Sequence, residues 1–253
     1  MIATFLGTGT SQGVPVIGCT CSVCSSLDYR DKRLRTSLHL QTENNSLVMD
    51  TGPDFRQQML REKIKSIQAL LFTHAHRDHT AGLDDIRAYN FMQQQDIPLY
   101  AQTEVINQLK KEYSYIFAEN KYPGIPQLTC MEINETVFTI GADSIIPLPV
   151  LHYKLPVLGF RVKNFAYITD ANFISEETFT KLKGVDTLVL NALQIEKHIS
   201  HFNLEEALTM VDKIQARKTY FTHISHKLGT HQEISKLLPA GVELAYDGLK
   251  IEV

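Results

Sequence analysis

The stretch Thr73-His74-Ala75-His76-Arg77-Asp78-His79 places three histidines and an aspartate within six positions, directly after the apolar run Ala69-Leu70-Leu71-Phe72. Imidazole nitrogen and carboxylate oxygen suit zinc, manganese or iron, and side chains released together from a strand end can converge on a cation. Ligands divided between two cations leave open positions for water and substrate. The competing reading is a polar loop that opens a helix, with Asp78 as N-cap and the histidines in solvent. Against it stands the apolar strand, after which the histidines must be held by something.

A second group has softer chemistry. Gly18-Cys19-Thr20-Cys21-Ser22-Val23-Cys24 is a Cys-x-Cys-x-x-Cys array compact enough to wrap one cation through thiolates, and it needs a fourth ligand to close a tetrahedral zinc site. Three thiols this close without a metal would be an oxidation liability. Cys130 stands alone and reads as a core thiol.

These groups need elements to hold them. The pattern predicts strands at 2–6, 37–41, 46–50, 135–140, 144–151, 159–163, 165–169, 185–193 and 219–222, and helices at 53–64 (Pro53 first), 81–92, 103–115 and 203–214. A closing hairpin over 242–246 and 249–253 turns at Asp247-Gly248. Several polar residues fall at strand ends: Asp50, His152, Asp170 and, after Thr222, His223 with His226 three positions on. His201 precedes the capping-box sequence Asn203-Leu204-Glu205-Glu206, where it can lean toward a site as a proton donor, with His198 the weaker candidate. His39 alternates with Leu38 and Leu40 and faces away from them, and His231 reads as helical surface. Arg87 reads as a surface ion pair, and the charged segment 28–35 as a solvated linker. The loop Gly7-Thr8-Gly9-Thr10-Ser11-Gln12-Gly13 lacks a Walker lysine, so close packing near the site is favoured over nucleotide binding.

The chain of 253 residues is 43% hydrophobic, ample for a substantial core. Its 25 basic residues against 28 acidic ones imply no global attraction to nucleic acid or an anionic membrane. No basic leader and no apolar run approaching ~20 residues is present, so a soluble cytoplasmic protein with no membrane partner is expected. Clustered cysteines point to a reducing compartment and not to a disulfide framework. The Pro-rich connection 121–126 does not divide the chain, because proposed ligands lie on both sides of it; one domain over 1–253 is expected, and a homodimer is allowed.

His74-x-His76-x-Asp78-His79 resembles the signature of the metallo-beta-lactamase-fold hydrolases. Gly7-Thr8-Gly9, the cysteine array and Thr222-His223-Ile224-Ser225-His226 are similar to the phosphoribosyl 1,2-cyclic phosphate phosphodiesterase group of the carbon-phosphorus lyase pathway, over a span from Gly7 to Gly248. The resemblance implies an α+β, four-layer αββα sandwich. It implies that His74, His76 and His152 hold one divalent cation, zinc or manganese, that Asp78, His79 and His223 hold another, and that Asp170 bridges them. Asp50 would lie beside the metals without ligating them, and Cys19, Cys21, Cys24 and His226 would form an inserted structural zinc site.

Two cations about 3.5 to 4 Å apart generate a hydroxide near neutral pH and stabilise charge at phosphorus or carbonyl carbon. The expected activity is therefore a dinuclear phosphodiesterase acting on a small linear or cyclic phosphodiester, with Asp78 and His201 as catalytic residues. A glyoxalase-like thioesterase or a nuclease on the same metal centre is the enzymatic alternative, and a metal-holding scaffold the non-enzymatic one.

Overall fold

The computed structural model describes residues 1–120 and 122–253; Lys121, which opens the Pro-rich connection, lies outside the described residues. Two mixed sheets pack face to face. The first has seven strands in the spatial order Lys250–Glu252, Ile2–Gly7, Ser37–Gln41, Ser46–Met49, Ala69–Leu71, Ile97–Ala101 and Leu128–Glu132. The second has eight: Phe173–Ile174, Asp143–His152, Leu155–Val162, Phe165–Tyr167, Thr187–Asn191, Lys218–Thr222 and Val242–Leu244 in order, with Phe138–Ile140 paired to Asp143–His152.

Strand alternation explains the layers. Leu47 and Met49 enter the core between the sheets with Phe5, Leu71, Phe160 and Tyr167, whereas Val48 points the other way into the helix-covered core with Phe55, Met59 and Tyr89. The second sheet repeats the scheme: Val189 faces inward, while Leu188 and Leu190 pack on the outer core with Leu182 and Ala207. Both sheet faces are thus covered, which gives the four layers αββα.

Each sheet is antiparallel on one side and parallel on the other. Ser46–Met49, Ala69–Leu71 and Ile97–Ala101 run parallel in the first sheet, and Phe165–Tyr167, Thr187–Asn191 and Lys218–Thr222 run parallel in the second. Carboxyl ends of parallel strands therefore gather at one edge of the sandwich, where open α/β sheets characteristically bind ligands.

Several expectations need correcting. Pro53 lies in a turn, and the helix is Phe55–Glu62 with Asp54 as N-cap. The final strands form no hairpin: Val242–Leu244 pairs parallel with Lys218–Thr222, while Lys250–Glu252 crosses to pair with Ile2–Gly7 in the other sheet. Segment 28–35 is no solvated linker, because Asp31 and Arg33 are buried. Arg33 donates to Thr8 Oγ1 at 2.8 Å and the Ala245 carbonyl at 2.6 Å, and Asp31 accepts from the His231 amide at 2.7 Å. His231 is accordingly buried, not helical surface. His39 does face away from Leu38 and Leu40, with its Nε2 2.7 Å from Ser46 Oγ. Arg87 is exposed and pairs with Asp84 at 3.5 Å.

Strands Ile97–Ala101 and Leu128–Glu132 and helix Glu176–Leu182 were not anticipated from the pattern. Pro98 argues against a strand interior, and Leu128–Glu132 is an edge strand with only Leu128 fully inside. Cys130, on that edge, is half-buried against the outer core of the first sheet. No helix among the described residues is long and apolar enough to cross a membrane.

Candidate metal centre

Asp50, Asp170 and His223 each follow a strand and each has a positive φ, 64°, 58° and 54°. Non-glycine residues rarely occupy this left-handed region, and three of them at one sheet edge mark a place where the backbone is held for the sake of its side chains. Close backbone approach supports the loop after Ala69–Leu71. A Cβ on Gly52 would meet the Asp78 carbonyl at 2.2 Å, and one on Gly82 would meet the Gly52 carbonyl at 2.2 Å.

The side chains fall into two adjoining sets, His74 with His76 and His152, and Asp78 with His79, Asp170 and His223; within each, the candidate ligand atoms lie within 4.8 Å of one another. Asp170 lies between them, its Oδ1 3.4 Å from His79 Nε2 and 3.1 Å from His223 Nδ1, its Oδ2 3.9 Å from His74 Nε2. His76 is the exposed member; His74, His79, Asp170 and His223 are buried.

Three of the buried imidazoles are held by their other nitrogen. His79 Nδ1 donates to Asp50 Oδ2 at 2.7 Å, His152 Nδ1 donates to the Ser200 carbonyl at 2.8 Å, and His74 Nδ1 lies 2.9 Å from Thr73 Oγ1. Thr73 in turn donates its amide to Asp50 at 2.9 Å, so Asp50 orients two of the histidines. Carboxylates and carbonyls in this position fix the tautomer and aim the free nitrogen.

The free nitrogens test whether a cation fits. His74 Nε2, His79 Nε2 and His223 Nδ1 are buried without a hydrogen-bond partner among the described residues. Each such orphan costs about 1–3 kcal/mol unless something satisfies it, and the three lie 3.9, 3.4 and 3.1 Å from the Asp170 carboxylate oxygens. Nitrogen and carboxylate donors at this spacing suit a divalent cation.

The charges are separated accordingly. Burial drives His74 well below its ordinary value, with His79 adding to the effect, and burial lowers His223 to about 3 against the pull of Asp170. Burial opposes charge at Asp170 too, but His223 and His79 hold its carboxyl well below the usual range. At His79 burial is outweighed by Asp170, Asp50 and Asp78, which hold the imidazole well above its ordinary value. His79 must release that proton from Nε2 to present it to a cation, while its Nδ1–H stays on Asp50.

His201 is brought to the same cluster. Its Nε2 is 3.2 Å from Asp170 Oδ2, its Nδ1 is 3.0 Å from Ser200 Oγ, and its ring stacks on His223 at 4.9 Å. His198 lies behind it at 3.2 Å and toward solvent.

The cysteine array forms a separate cluster with His226. Its Nδ1 lies 3.3, 3.4 and 3.5 Å from the sulfurs of Cys19, Cys21 and Cys24. A tetrahedral zinc with ordinary bond lengths requires a nitrogen–sulfur separation of about 3.5 Å. Backbone amides of Cys24 and Val16 point at the sulfurs of Cys21 and Cys24, at 3.4 and 3.3 Å. The Cys24 amide and the His226 ring lower the Cys21 thiol to about 6, whereas burial pushes Cys24 up to about 11.

Some supporting residues had not been singled out. Asn191 accepts from the Ala171 amide at 2.7 Å and donates to its carbonyl at 2.9 Å, which locks the backbone beside Asp170. A polar residue ending the apolar strand Thr187–Asn191 was the available signal. Thr73 and the Ser200 carbonyl carried none.

A family model described as "Beta-lactamase superfamily domain" matches residues 45–224, most of the chain and nearly all of the cluster. The chain belongs to the beta-lactamase superfamily. Its fold is the metallo-beta-lactamase fold, and this superfamily consists generally of metal-dependent hydrolases. A solved structure described as a "New Diphosphatase from the PhnP Family" is 41% identical, covers 100% of this chain and 97% of its own, and superposes with a TM-score of 0.93. Zinc-bound PqqB from Methylobacterium extorquens shares the fold at 19% identity, with a TM-score of 0.83 and full coverage of both chains. An octanoyltransferase of Porphyromonas gingivalis is 38% identical over 253 residues, 99% of this chain and 51% of that protein. This chain thus spans about half the length of that relative.

Proposed function

We propose that this beta-lactamase superfamily member is a dinuclear phosphodiesterase, with His74, His76 and His152 around one divalent cation, Asp78, His79 and His223 around the other, and Asp170 shared. The observation that carries the reading is that three buried imidazole nitrogens without hydrogen-bond partners among the described residues, on His74, His79 and His223, lie 3.9, 3.4 and 3.1 Å from the Asp170 carboxylate. Zinc or manganese bound there supplies Lewis acidity and activates water at neutral pH. Because the ligands come from both sheets, residues 1–253 act as one unit, with the Cys3His zinc as a structural insert.

The chain's own residues do the rest. Asp50 and Thr73 hold His79 and His74, and the Ser200 carbonyl holds His152, so the cluster is set before substrate arrives. His201, with its Nε2 3.2 Å from Asp170 Oδ2, is placed to give a proton to the leaving oxygen. Water's oxygen becomes bonded to phosphorus, the ester P–O bond breaks, and the proton lost from water balances the one His201 donates. General acid catalysis of this kind contributes about 10²- to 10⁴-fold.

Phosphorus is favoured over carbonyl carbon by the diphosphatase neighbour at 41% identity. The octanoyltransferase match makes an acyl thioester the reading to test against, although that name belongs to a protein twice as long. Near-neutral charge supports a small-molecule substrate over nucleic acid. The test is metal-stripped protein reloaded with zinc or manganese and assayed on bis(p-nitrophenyl) phosphate, a cyclic nucleotide, a ribose cyclic phosphate and an acyl thioester. Metal-dependent cleavage of a phosphodiester is expected. Thioester cleavage with no phosphodiester cleavage would overturn the reading, and turnover of any ester excludes a mere scaffold.

A further inference from the structure

Two cavities of about 810 and 620 Å³ meet at the metal centre, sharing His76 and Leu155 as their common wall. A drug-sized ligand fills roughly 300–1,000 Å³, so either lobe alone exceeds what a small cyclic phosphate needs. The lobes differ in chemistry.

The polar lining of the larger lobe is Gln102, Glu104, Gln108, Glu112, Glu135 and Arg77 beside apolar residues, and the lobe also contains His74, whose buried Nε2 has no partner among the described residues. Within it Glu112 is already committed: Arg77 Nη1 donates to it at 3.0 Å and Gln108 Nε2 at 2.6 Å. Glu104 and Glu135 remain to accept from a ligand. This wall repels phosphate and attracts hydroxyl groups.

The smaller lobe is apolar and basic. Tyr153 and Lys154 form the tight turn between strands Asp143–His152 and Leu155–Val162, with Lys154 Nζ 5.3 Å from the Tyr153 ring centroid. Tyr153 has a φ of 56°, which the two-residue hairpin turn between the paired His152 and Leu155 requires. Asn172 braces it, accepting from the Tyr153 amide at 2.7 Å and donating to the Ile199 carbonyl at 3.3 Å on the opposite side of the lobe. An aromatic face with an ammonium beside it suits a planar group attached to phosphate.

We propose that the substrate is an unsymmetrical diphosphoric diester with two organic arms, a polyhydroxylated arm in the Glu104–Glu135 lobe and an aromatic arm against Tyr153 and Lys154; water's oxygen joins one phosphorus, the P–O–P bond breaks and each arm leaves as its monophosphate. This rests on the phosphoric-ester reading above and assigns Glu104, Glu135, Tyr153 and Lys154 as specificity determinants.

The probes are UDP-glucose, bis(p-nitrophenyl) phosphate and a ribose cyclic phosphate on the metal-loaded enzyme. Binding of a methylene-bridged UDP-glucose analogue, read by calorimetry, is the readout independent of turnover. UDP-glucose should give the highest kcat/KM. Glu104→Gln with Glu135→Gln should raise its KM about tenfold, the scale of a lost charge-assisted hydrogen bond, and weaken the analogue equally, with a smaller effect on bis(p-nitrophenyl) phosphate. Tyr153→Ala with Lys154→Ala should weaken both aromatic probes. Better turnover of the ribose cyclic phosphate than of UDP-glucose, or equal effects of the glutamate changes on both aromatic probes, would overturn the proposal. If no phosphoric ester is cleaved yet the analogue binds and the glutamate changes weaken it, the reaction assignment fails and the two-armed site stands.

Discussion

The two candidate metal clusters are built in opposite ways. Cys19, Cys21 and Cys24 come from one short segment and need only His226 from elsewhere, whereas the His/Asp centre draws its side chains from the ends of four strands in both sheets. Backbone amides turned onto sulfur hold the first, and Asp50, Thr73, Asn191 and the Ser200 carbonyl hold the second. The difference separates roles. A closed four-ligand site has no room for substrate and contributes stability, while a centre beside two cavities keeps an open side for chemistry. One loop serves both, since His223 and His226 flank Ile224, whose amide bonds the Thr8 carbonyl at 2.8 Å.

Substitutions can break this division. The largest effect on turnover is expected from Asp170→Asn, which keeps the volume but removes the shared charge. Phosphodiester hydrolysis should fall by at least ~10³-fold, the scale of losing a preorganised charge, with circular dichroism unchanged. His76→Ala should do the same from the exposed side. Cys21→Ala should act on the other axis, costing about 4 kcal/mol or more of stability by chemical denaturation and one zinc per chain. If melting temperature and zinc content survive that change, the cysteine array with His226 is not a structural site. Asp50→Asn, which touches no cation, should lower metal affinity or activity by roughly 10–100-fold in a chelator competition.

The smallest effect is a baseline outside both clusters. Burial lowers His39 to about 4 from an ordinary 6.5, with Lys250 adding to it. The unfolded chain therefore takes up a proton below pH 6.5 that the folded one refuses, and stability is lost as pH falls through that window. Between pH 7 and 5.5 the loss is about 1 kcal/mol. His39→Asn should flatten this slope in urea titrations by the same amount whether or not metal is bound, whereas acid sensitivity arising from either cluster should change on metal stripping. An unchanged slope in the variant would place the titration elsewhere.

What the sequence made legible follows the same division. The His74–His79 stretch and the cysteine array are local, so residue type and spacing expose them before any fold is known. His152, Asp170 and His223 are single polar residues at strand ends, and only the family pattern gives them roles. The family resemblance implied the αββα layers, but edge strand Leu128–Glu132 and Pro-containing Ile97–Ala101 carry too weak a period to be read. Arg33, Asp31, His231 and Asp247 looked solvated or like turn residues because charge was taken as exposure. Their partners lie about 200 residues away in some pairs, such as Asp31 with His231, and no local pattern reports such a pairing. Asp247 accepts from the Thr8 and Leu34 amides, at 2.9 and 2.8 Å, at the crossing between the sheets that replaces the expected hairpin.

Metal stoichiometry tests the central claim most directly. Protein equilibrated with zinc or manganese and freed of excess by gel filtration should carry three divalent cations per chain by elemental analysis. Asp170→Asn should keep the thiolate-bound zinc and lose at least one of the other two, and Cys21→Ala should retain two. A wild-type content of one cation or fewer, or three cations persisting in Asp170→Asn, would contradict a paired centre built on that aspartate.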